Sequence, residues 1–199
     1  MKKRTKKVIL TMGILGVLAA AALAAGTVFG IRTVEEAAYE VVSTDGEFEV
    51  RAYRPSRVAR TQVTESGYSD AGRTAFRRLA GYIFGGNRDG ESIAMTAPVL
   101  QESNDAGWEM TFVLPSGLDT PPLPSDASVT IADMPARKVV ALRYTGLLGK
   151  ASIEEHAARL MDWVERNGYG AVSKPFSAAF DPPWTIPFLR RNEVQVEIE

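Results

Sequence analysis

The chain has 199 residues, 45% of them hydrophobic, which is enough for one globular domain with an appendage. It contains no cysteine, and this excludes disulfides, thiolate metal sites and a cysteine nucleophile. Residues 2–7 carry five basic groups, whereas the chain beyond Arg32 is acidic overall without a basic cluster, which argues against a nucleic-acid-binding surface.

An uncharged segment rich in Leu, Ala, Val and Ile occupies residues 8–31. As a helix its 24 residues would extend about 36 Å, and about 20 residues are enough to cross a bilayer. Basic residues beside such a segment stay in the cytoplasm, so residues 1–7 are predicted to be a cytoplasmic flank. The sequence predicts a single-pass anchor in the cell membrane, then a linker at residues 32–38 and an extracytoplasmic domain. The alternative is a cleaved signal peptide, with Leu23-Ala24-Ala25 near the cleavage site, which would give a secreted protein.

Strand signals dominate the first half of the remaining chain. Asp45-Gly46 lies between two β-rich runs and predicts a hairpin turn. Apolar residues at helical spacing predict a helix, which Gly85-Gly86-Asn87 ends. The predicted elements of this half are strands at residues 39–44, 48–53 and 57–64, a helix at residues 68–84, and strands at residues 92–101 and 108–114.

The second half repeats this order of elements. Superposing Pro55 on Pro135 also superposes Arg57 on Arg137, and Ser152 is the expected N-cap of the second helix. A period of about 80 residues is too long for a solenoid. We therefore expect an α+β fold, in which two β-α-β-β repeats form a twisted antiparallel β-barrel or saddle with two flanking helices, preceded by the N-terminal transmembrane helix. The predicted elements of this half are strands at residues 129–132 and 137–145, a helix at residues 152–166, and strands at residues 171–180 and 193–198.

Few residues indicate a reaction. His156 is the single histidine, at the edge of the apolar stripe of the second helix, where it is either a surface residue or a haem ligand or proton carrier. Gly90-Glu91-Ser92 resembles a nucleophile elbow, but a loop precedes it and a strand follows, which is the wrong context for a nucleophilic serine. One histidine without any cysteine argues against a zinc site. We assign no catalytic residue and no metal ligand.

The aromatic and methionine residues are more informative about ligand binding. Phe76 on the first helix and Met95 in the next strand either pack in the core or line an apolar pocket between sheet and helix. Arg73 lies beside Phe76 and Ala80 on the shoulder of that helix, where its guanidinium can pair with a ligand carboxylate. The predicted cofactor-binding residues are Arg73, Phe76, Ala80, Met95 and His156.

Several separate stretches, in the right order, together resemble the SOUL haem-binding family and cover nearly all of residues 39–199. The most recognisable is Ile93-Ala94-Met95-Thr96-Ala97-Pro98-Val99. The others are Tyr39-Glu40-Val41, Ala75-Phe76, Tyr82-Ile83, Gly85-Gly86-Asn87, Trp108-Glu109-Met110, Pro122-Leu123-Pro124, Asp181-Pro182-Pro183 and Arg190-Arg191-Asn192-Glu193-Val194.

The resemblance implies a twisted β-barrel or saddle built from a duplicated half, similar in architecture to bacterial effector-binding domains that hold flat hydrophobic drugs. It also implies that residues 39–199 form a haem-binding domain, which holds haem or another tetrapyrrole in a pocket beside the first helix, near Arg73 and Phe76. Some members carry a lysine in the Pro-Pro loop, where this chain has Trp184-Thr185-Ile186. That difference implies the loss of one contact to a haem propionate.

Non-catalytic tetrapyrrole binding is therefore the expected function, and three alternatives stay open. In the first alternative, the domain binds another flat hydrophobic molecule. In the second, it is a protein-interaction module with a vestigial pocket. The third alternative is an enzyme acting on a tetrapyrrole, with Glu91, Glu109 or Tyr144 as the acid-base group if the fold brings one of them into the pocket.

Overall fold

Short strands and two helices make up the part of the chain that the computed structural model describes, residues 34–64 and 67–199. The first half contains β1 (Glu35–Glu36), β2 (Tyr39–Asp45), β3 (Phe48–Tyr53), β4 (Ser56–Val63), α1 (Tyr68–Ile83), β5 (Thr96–Ala97), β6 (Val99–Asn104) and β7 (Gly107–Val113). The second half contains β8 (Val129–Met134), β9 (Arg137–Tyr144), α2 (Lys150–Arg166), β10 (Phe176–Ala179), a short 3-10 helix at Pro187–Leu189, and β11 (Asn192–Ile198).

The sheet topology confirms the internal repeat. Nine strands form one sheet in the order β2-β3-β9-β11-β10-β6-β7-β4-β8, and β1 pairs separately with β5. The strands β3, β4, β6 and β7 of the first half correspond to β8, β9, β10 and β11 of the second half. Exchanging each strand for its counterpart gives the same order read from the other edge of the sheet, apart from the additional edge strand β2. With Pro55 superposed on Pro135, the pairing of β4 with β8 has the same register as the pairing of β9 with β3. The two halves therefore exchange strands through the β3–β9 and β4–β8 pairings, and they also pair at the centre of the sheet, where β6 meets β10.

Both helices pack on one face of this curled, half-barrel sheet, as expected for the predicted α+β fold. Helix α1 covers β4, β7 and β8, and α2 covers β9 and β11. Each helix buries an apolar stripe in its own core cluster, centred on Leu79 for α1 and Leu160 for α2, neither of which is exposed to solvent. We call this side of the sheet the helix face and the other side the open face.

The open face holds a buried ionic network. Arg51 in β3 donates from Nη1 and Nη2 to the two carboxylate oxygens of Glu193 in β11, at 2.7 and 3.1 Å. Arg191 donates from Nε to the same carboxylate at 2.6 Å, and Gln195 donates to it at 2.7 Å. Arg191 also pairs with Glu36, so the network joins β1 and the edge hairpin to the middle of the sheet.

Burial alone would raise the pKa of Glu193, but the hydrogen bonds and charge of Arg51, together with Arg191 and Gln195, hold it below its usual value. A carboxyl whose folded-state pKa is depressed contributes stability above its unfolded pKa and loses that contribution as the pH falls through the folded value. The network therefore stabilises the protein at neutral pH and less so in acid.

Four details differ from the sequence-based expectation. The strand predicted at residues 92–101 is divided into β5 and β6 by Pro98, which has no N–H for a ladder hydrogen bond. Residues 171–180 form only the short strand β10. Glu35 and Glu36, within the predicted linker, form strand β1, which pairs with β5. The prediction of Ser152 as N-cap was wrong, because α2 begins two residues earlier, after the extended Gly149, and the Ser152 carbonyl already lies within the helix.

No helix in residues 34–64 and 67–199 is both long and apolar enough to cross a membrane. The predicted anchor at residues 8–31 and its basic flank at residues 1–7 lie outside the described residues.

Replacing Glu193 by Gln removes the carboxylate that Arg51 and Arg191 share while it keeps the shape of the side chain. We expect the free energy of unfolding at neutral pH to fall by up to about 3 kcal/mol, because a buried pair is broken while Arg51 keeps Glu49 and Arg191 keeps Glu36 as carboxylate partners. Urea unfolding measures the loss, and it should shrink in acid. Glu40→Gln is the control, since Glu40 pairs with Arg54 at the surface; it should cost less than about 1 kcal/mol. Equal losses in both variants would contradict a special role of the network.

Candidate functional site

A groove runs between the two helices on the helix face. Its floor belongs to the central strands, where Val99 of β6 and Ala179 of β10 are only half-buried although both strands have neighbours on each side. The strand registers place Phe112, Val99, Ala179, Asn192 and Tyr144 in one row across five adjacent strands. At about 4.8 Å between strands, this row spans about 19 Å along the sheet. Phe112, Asn192 and Tyr144 are buried, so the accessible part of the groove floor lies at Val99 and Ala179 on the two central strands.

Helix α1 forms one wall through the side chains on its shoulder. Phe76 packs edge-to-face on Phe112 with the ring centroids 5.4 Å apart, and 41% of it stays exposed. Arg78 lies on the opposite shoulder, where it donates to the Gln62 carbonyl of β4 at 3.0 Å. The helical turn thus directs Phe76, and Ala80 four residues later, towards the groove. Gly72 lets the helix approach the floor, since a Cβ there would lie 3.0 Å from the Gln101 side chain.

Polar side chains tie the start of α1 to the floor. Tyr68 lies 3.2 Å from the Ser177 hydroxyl, and Ser177 also lies 3.2 Å from the Gln101 carbonyl, which it donates to. Because that hydroxyl has one proton, Tyr68 is the donor to Ser177. The Gln101 amide in turn donates to the Tyr68 carbonyl at 3.0 Å. This set of hydrogen bonds links α1 to both central strands.

The second wall belongs to α2. The His156 ring stacks on Tyr144 with the centroids 3.9 Å apart. His156 Nδ1 lies 2.6 Å from the Ser152 carbonyl oxygen, which can only accept a hydrogen bond. Nδ1 therefore carries a proton, and Nε2 is the nitrogen with the lone pair in the neutral ring. A single imidazole with this tautomer is suited to accept a proton or to ligate a metal centre.

Two loops form a lip at the end of the groove where Tyr144 and Asn192 lie. Gly146 donates its N–H to the Pro187 carbonyl at 2.8 Å, and Asn192 donates to the Gly146 carbonyl at 3.0 Å. Large apolar side chains in these loops are exposed, and they are Leu147, Trp184 and Phe188. Water-exposed aromatic residues beside an apolar groove favour a ligand that supplies further apolar surface.

The structure places four of the five predicted site residues on the two helices and the fifth, Met95, just before β5. Arg73, Phe76 and Ala80 lie on the groove-side shoulder of α1; the Arg73 side chain is 75% exposed and pairs with Asp70. Met95 is half-buried against the core cluster of α1. His156 lies on α2, in the other half of the repeat. Sequence reasoning did not find the groove floor, since its residues come from five strands that are not consecutive in the chain.

The three acid-base candidates of the enzyme hypothesis do not share a site. Glu91 is exposed in the loop after α1, where its backbone bonds to Asn87. Glu109 points to the open face, next to Glu102. Tyr144 alone lies in the groove, so the fold brings together no acid-base pair from this set.

The two groove tyrosines are held in the neutral form. Burial raises the pKa of Tyr68. Burial, with a smaller contribution from the nearby Tyr68, raises the pKa of Tyr144 to about 12. Both hydroxyls are therefore protonated throughout the physiological range, and the centre of the groove is uncharged. An uncharged, partly aromatic groove is better suited to an apolar ligand than to an ionic substrate.

The curled sheet and this groove define a small-molecule-binding domain of the α+β class. The family model described as SOUL heme-binding protein matches residues 34–197. Heme-binding protein 1 of Mus musculus is 31% identical and the match covers 81% of this chain and 92% of that protein. Heme-binding protein 2 of Homo sapiens is 26% identical, with coverage of 74% and 75%. The chain belongs to the SOUL heme-binding protein family.

Solved structures with low sequence identity share the fold. The C-terminal domain of EcmrR superposes with a TM-score of 0.58 at 17% identity, over 81% of this chain and 98% of that one. A hydrolase from Listeria innocua gives a TM-score of 0.50 at 13% identity, over 79% and 94% of the two chains. These likenesses concern the fold alone.

Tyr144→Phe tests the neutral hydroxyl in the groove. Above about pH 10 the tyrosines of the unfolded chain lose their protons while Tyr144 in the folded protein keeps its proton up to about 12, so stability falls as the pH rises between these values. We expect a shallower fall in the Phe variant, measured by urea unfolding at pH 8, 10 and 11. The same slope in both proteins would show that Tyr144 titrates normally.

Proposed function

We propose that the interhelical groove binds haem or a related tetrapyrrole without chemical turnover. The observation that carries the proposal is the pair of walls, with Phe76 on Phe112 at one side and His156 on Tyr144 at the other, in a chain of this family. A flat macrocycle lying between them buries its faces against aromatic and aliphatic side chains and so gains the hydrophobic contribution that dominates such binding.

The residues present fit the two chemically distinct parts of haem. The apolar ring system is matched by half-exposed side chains, among them Phe76 and Met95. The carboxylates of the propionates require cations at the edge of the pocket. Arg73 supplies one, because its side chain is exposed and its pair with Asp70 is a weak surface pair that a ligand carboxylate can replace.

Iron ligation is a separate question from apolar burial. His156 is the only histidine of the chain, and its unprotonated Nε2 is a suitable ligand atom for haem iron. Its side chain stands on the α2 wall, away from the α1 residues that would hold the macrocycle. The proposal therefore rests on burial and on Arg73, and ligation by His156 is an additional property that is tested independently.

The cellular context of the groove is also proposed from the sequence. Residues 8–31 have the length and composition of a membrane anchor, and the described domain begins at residue 34. We infer a domain held close to the outer surface of the cell membrane, or secreted if the segment is cleaved. A carbonate extraction of membranes followed by N-terminal sequencing distinguishes the two.

Phe76→Ala tests the groove as the binding site. Loss of the ring removes one wall, and we expect the affinity for haem to fall about tenfold, which corresponds to about 1.4 kcal/mol. Absorbance titration of the Soret band measures it. Val42→Ala is the control, because Val42 is exposed in the edge strand β2, six strands away from β7, on which Phe76 packs. A saturable band shift that is equal in both variants would place haem elsewhere. Tight binding of flat apolar compounds without any haem response would favour the other-ligand alternative.

His156→Ala tests ligation. If Nε2 ligates the iron, the Soret maximum of the bound haem shifts in the variant, while the affinity changes less than in Phe76→Ala. An unchanged spectrum removes His156 from the site and leaves haem held without a histidine ligand. His156→Gln, which keeps a polar side chain stacked near Tyr144, separates a ligand effect from a loss of packing.

A further inference from the structure

A cavity of about 250 Å³ opens on the face of the sheet that carries no helix. It therefore lies on the other side of the sheet from the interhelical groove. Leu100, Met134 and Phe176 contribute apolar walls. Five charged residues from five strands or their ends surround the same space, and they are Arg60, Glu102, Glu109, Arg137 and Glu197.

Arg137 is held in the wall of this cavity by one carboxylate and two aromatic rings. It donates from Nη1 to Glu197 at 2.6 Å. Its guanidinium carbon also lies 5.4 Å from the centre of the Phe176 ring and 5.5 Å from that of Tyr53. Arg137 and Glu197 therefore neutralise each other, and the ring contacts hold the arginine in place.

Arg60 is the other cation of the cavity, and Glu109 is its nearest carboxylate. Arg60 Nη1 lies 3.5 Å from Glu109 Oε1, which is too long for a hydrogen bond but close enough for charge compensation. The guanidinium forms no hydrogen bond to any residue in the described ranges. Glu197 is therefore compensated by Arg137, and Glu109 by Arg60.

Glu102 is the carboxylate that remains. It lies directly opposite Glu109 in the register of β6 and β7, an arrangement of like charges that destabilises a sheet. Within residues 34–64 and 67–199 its carboxylate has no hydrogen bond and no ion pair. Burial, then the charges of Glu109 and Glu197, raise the pKa of Glu102 in spite of Arg137 and Arg60. The negative charges therefore outweigh the positive ones at this point, and the cavity favours an added cation.

We propose that this cavity is a second binding site, specific for a small organic ammonium ion with an apolar body. Its ammonium group would pair with Glu102 and relieve the repulsion between Glu102 and Glu109. Its apolar part would lie against Leu100, Met134 and Phe176. The site is independent of the groove on the helix face, so it does not depend on haem binding.

Calorimetric titration of the full chain in a neutral detergent tests the proposal with three probes of similar shape. Benzylammonium carries the required charge, benzyl alcohol is neutral, and benzoate is an anion. We expect saturable binding of benzylammonium, at least tenfold weaker binding of the alcohol, and no binding of benzoate. Equal binding of the alcohol, or no saturable binding of benzylammonium up to millimolar concentration, overturns the proposal.

Glu102→Gln identifies the residue responsible. It keeps the shape of the side chain and removes a charge from a like-charge pair, so the variant is expected to fold. Benzylammonium affinity should fall at least tenfold, whereas the haem titration stays unchanged. The control is Glu154→Gln, which removes an exposed carboxylate of α2 that pairs with Lys150. Unchanged benzylammonium binding by Glu102→Gln, in a variant shown by urea unfolding to be folded, refutes the assignment.

Discussion

The pairing of β6 with β10 is the contact on which the rest of the structure depends, because it joins the part of the sheet that α2 covers, β2-β3-β9-β11-β10, to the part that α1 covers, β6-β7-β4-β8. Tyr68, Ser177 and Gln101 reinforce it with side-chain hydrogen bonds. Helix α1 packs on β4, β7 and β8, and α2 packs on β9 and β11, so the central strands β6 and β10 lie between the two helices and meet α1 at its first turns. The groove is therefore a direct consequence of the duplication, since neither repeat alone has two walls.

The two faces of the sheet differ in whether they bury charged groups. The helix face is apolar, and burial keeps Tyr68 and Tyr144 neutral there. The open face holds buried ions, and their compensation differs along the sheet. Around Glu193 two arginines and Gln195 all donate to one carboxylate, which links β3 to β11. Glu102 differs, because within residues 34–64 and 67–199 its carboxylate has no hydrogen bond or ion pair and it lies opposite Glu109. The network at Glu193 stabilises the fold, whereas the carboxylate of Glu102 is left to pair with a cationic ligand.

Local patterns were sufficient for most of the fold. Hairpin turns, the helical spacing of α1 and the equivalence of Pro55 and Pro135 all predicted elements and a repeat that the topology confirms. Predictions were weakest where a proline or a helix start decides the boundary, as at Pro98 and Ser152. For the candidate site, the residues on α1 were found because helical periodicity places Phe76 and Ala80 on one side of a helix. Glu109 and Tyr144 were both predicted as candidate acid-base groups, but the sequence does not show that they lie on opposite faces of the sheet.

The sequence by itself determined the elements, the repeat, the family and the α1 wall of the groove, because these depend on periodicity and composition within short stretches. Only the tertiary structure decided which strands are neighbours. That order places Asn192 beside Tyr144 on the groove floor, and Arg51 within reach of Glu193 across an intervening strand. Pairing between strands distant in the chain depends on the packing of the whole sheet, so no local pattern of residues records it. For that reason the second wall, the ionic network and the cavity on the open face become visible only in three dimensions.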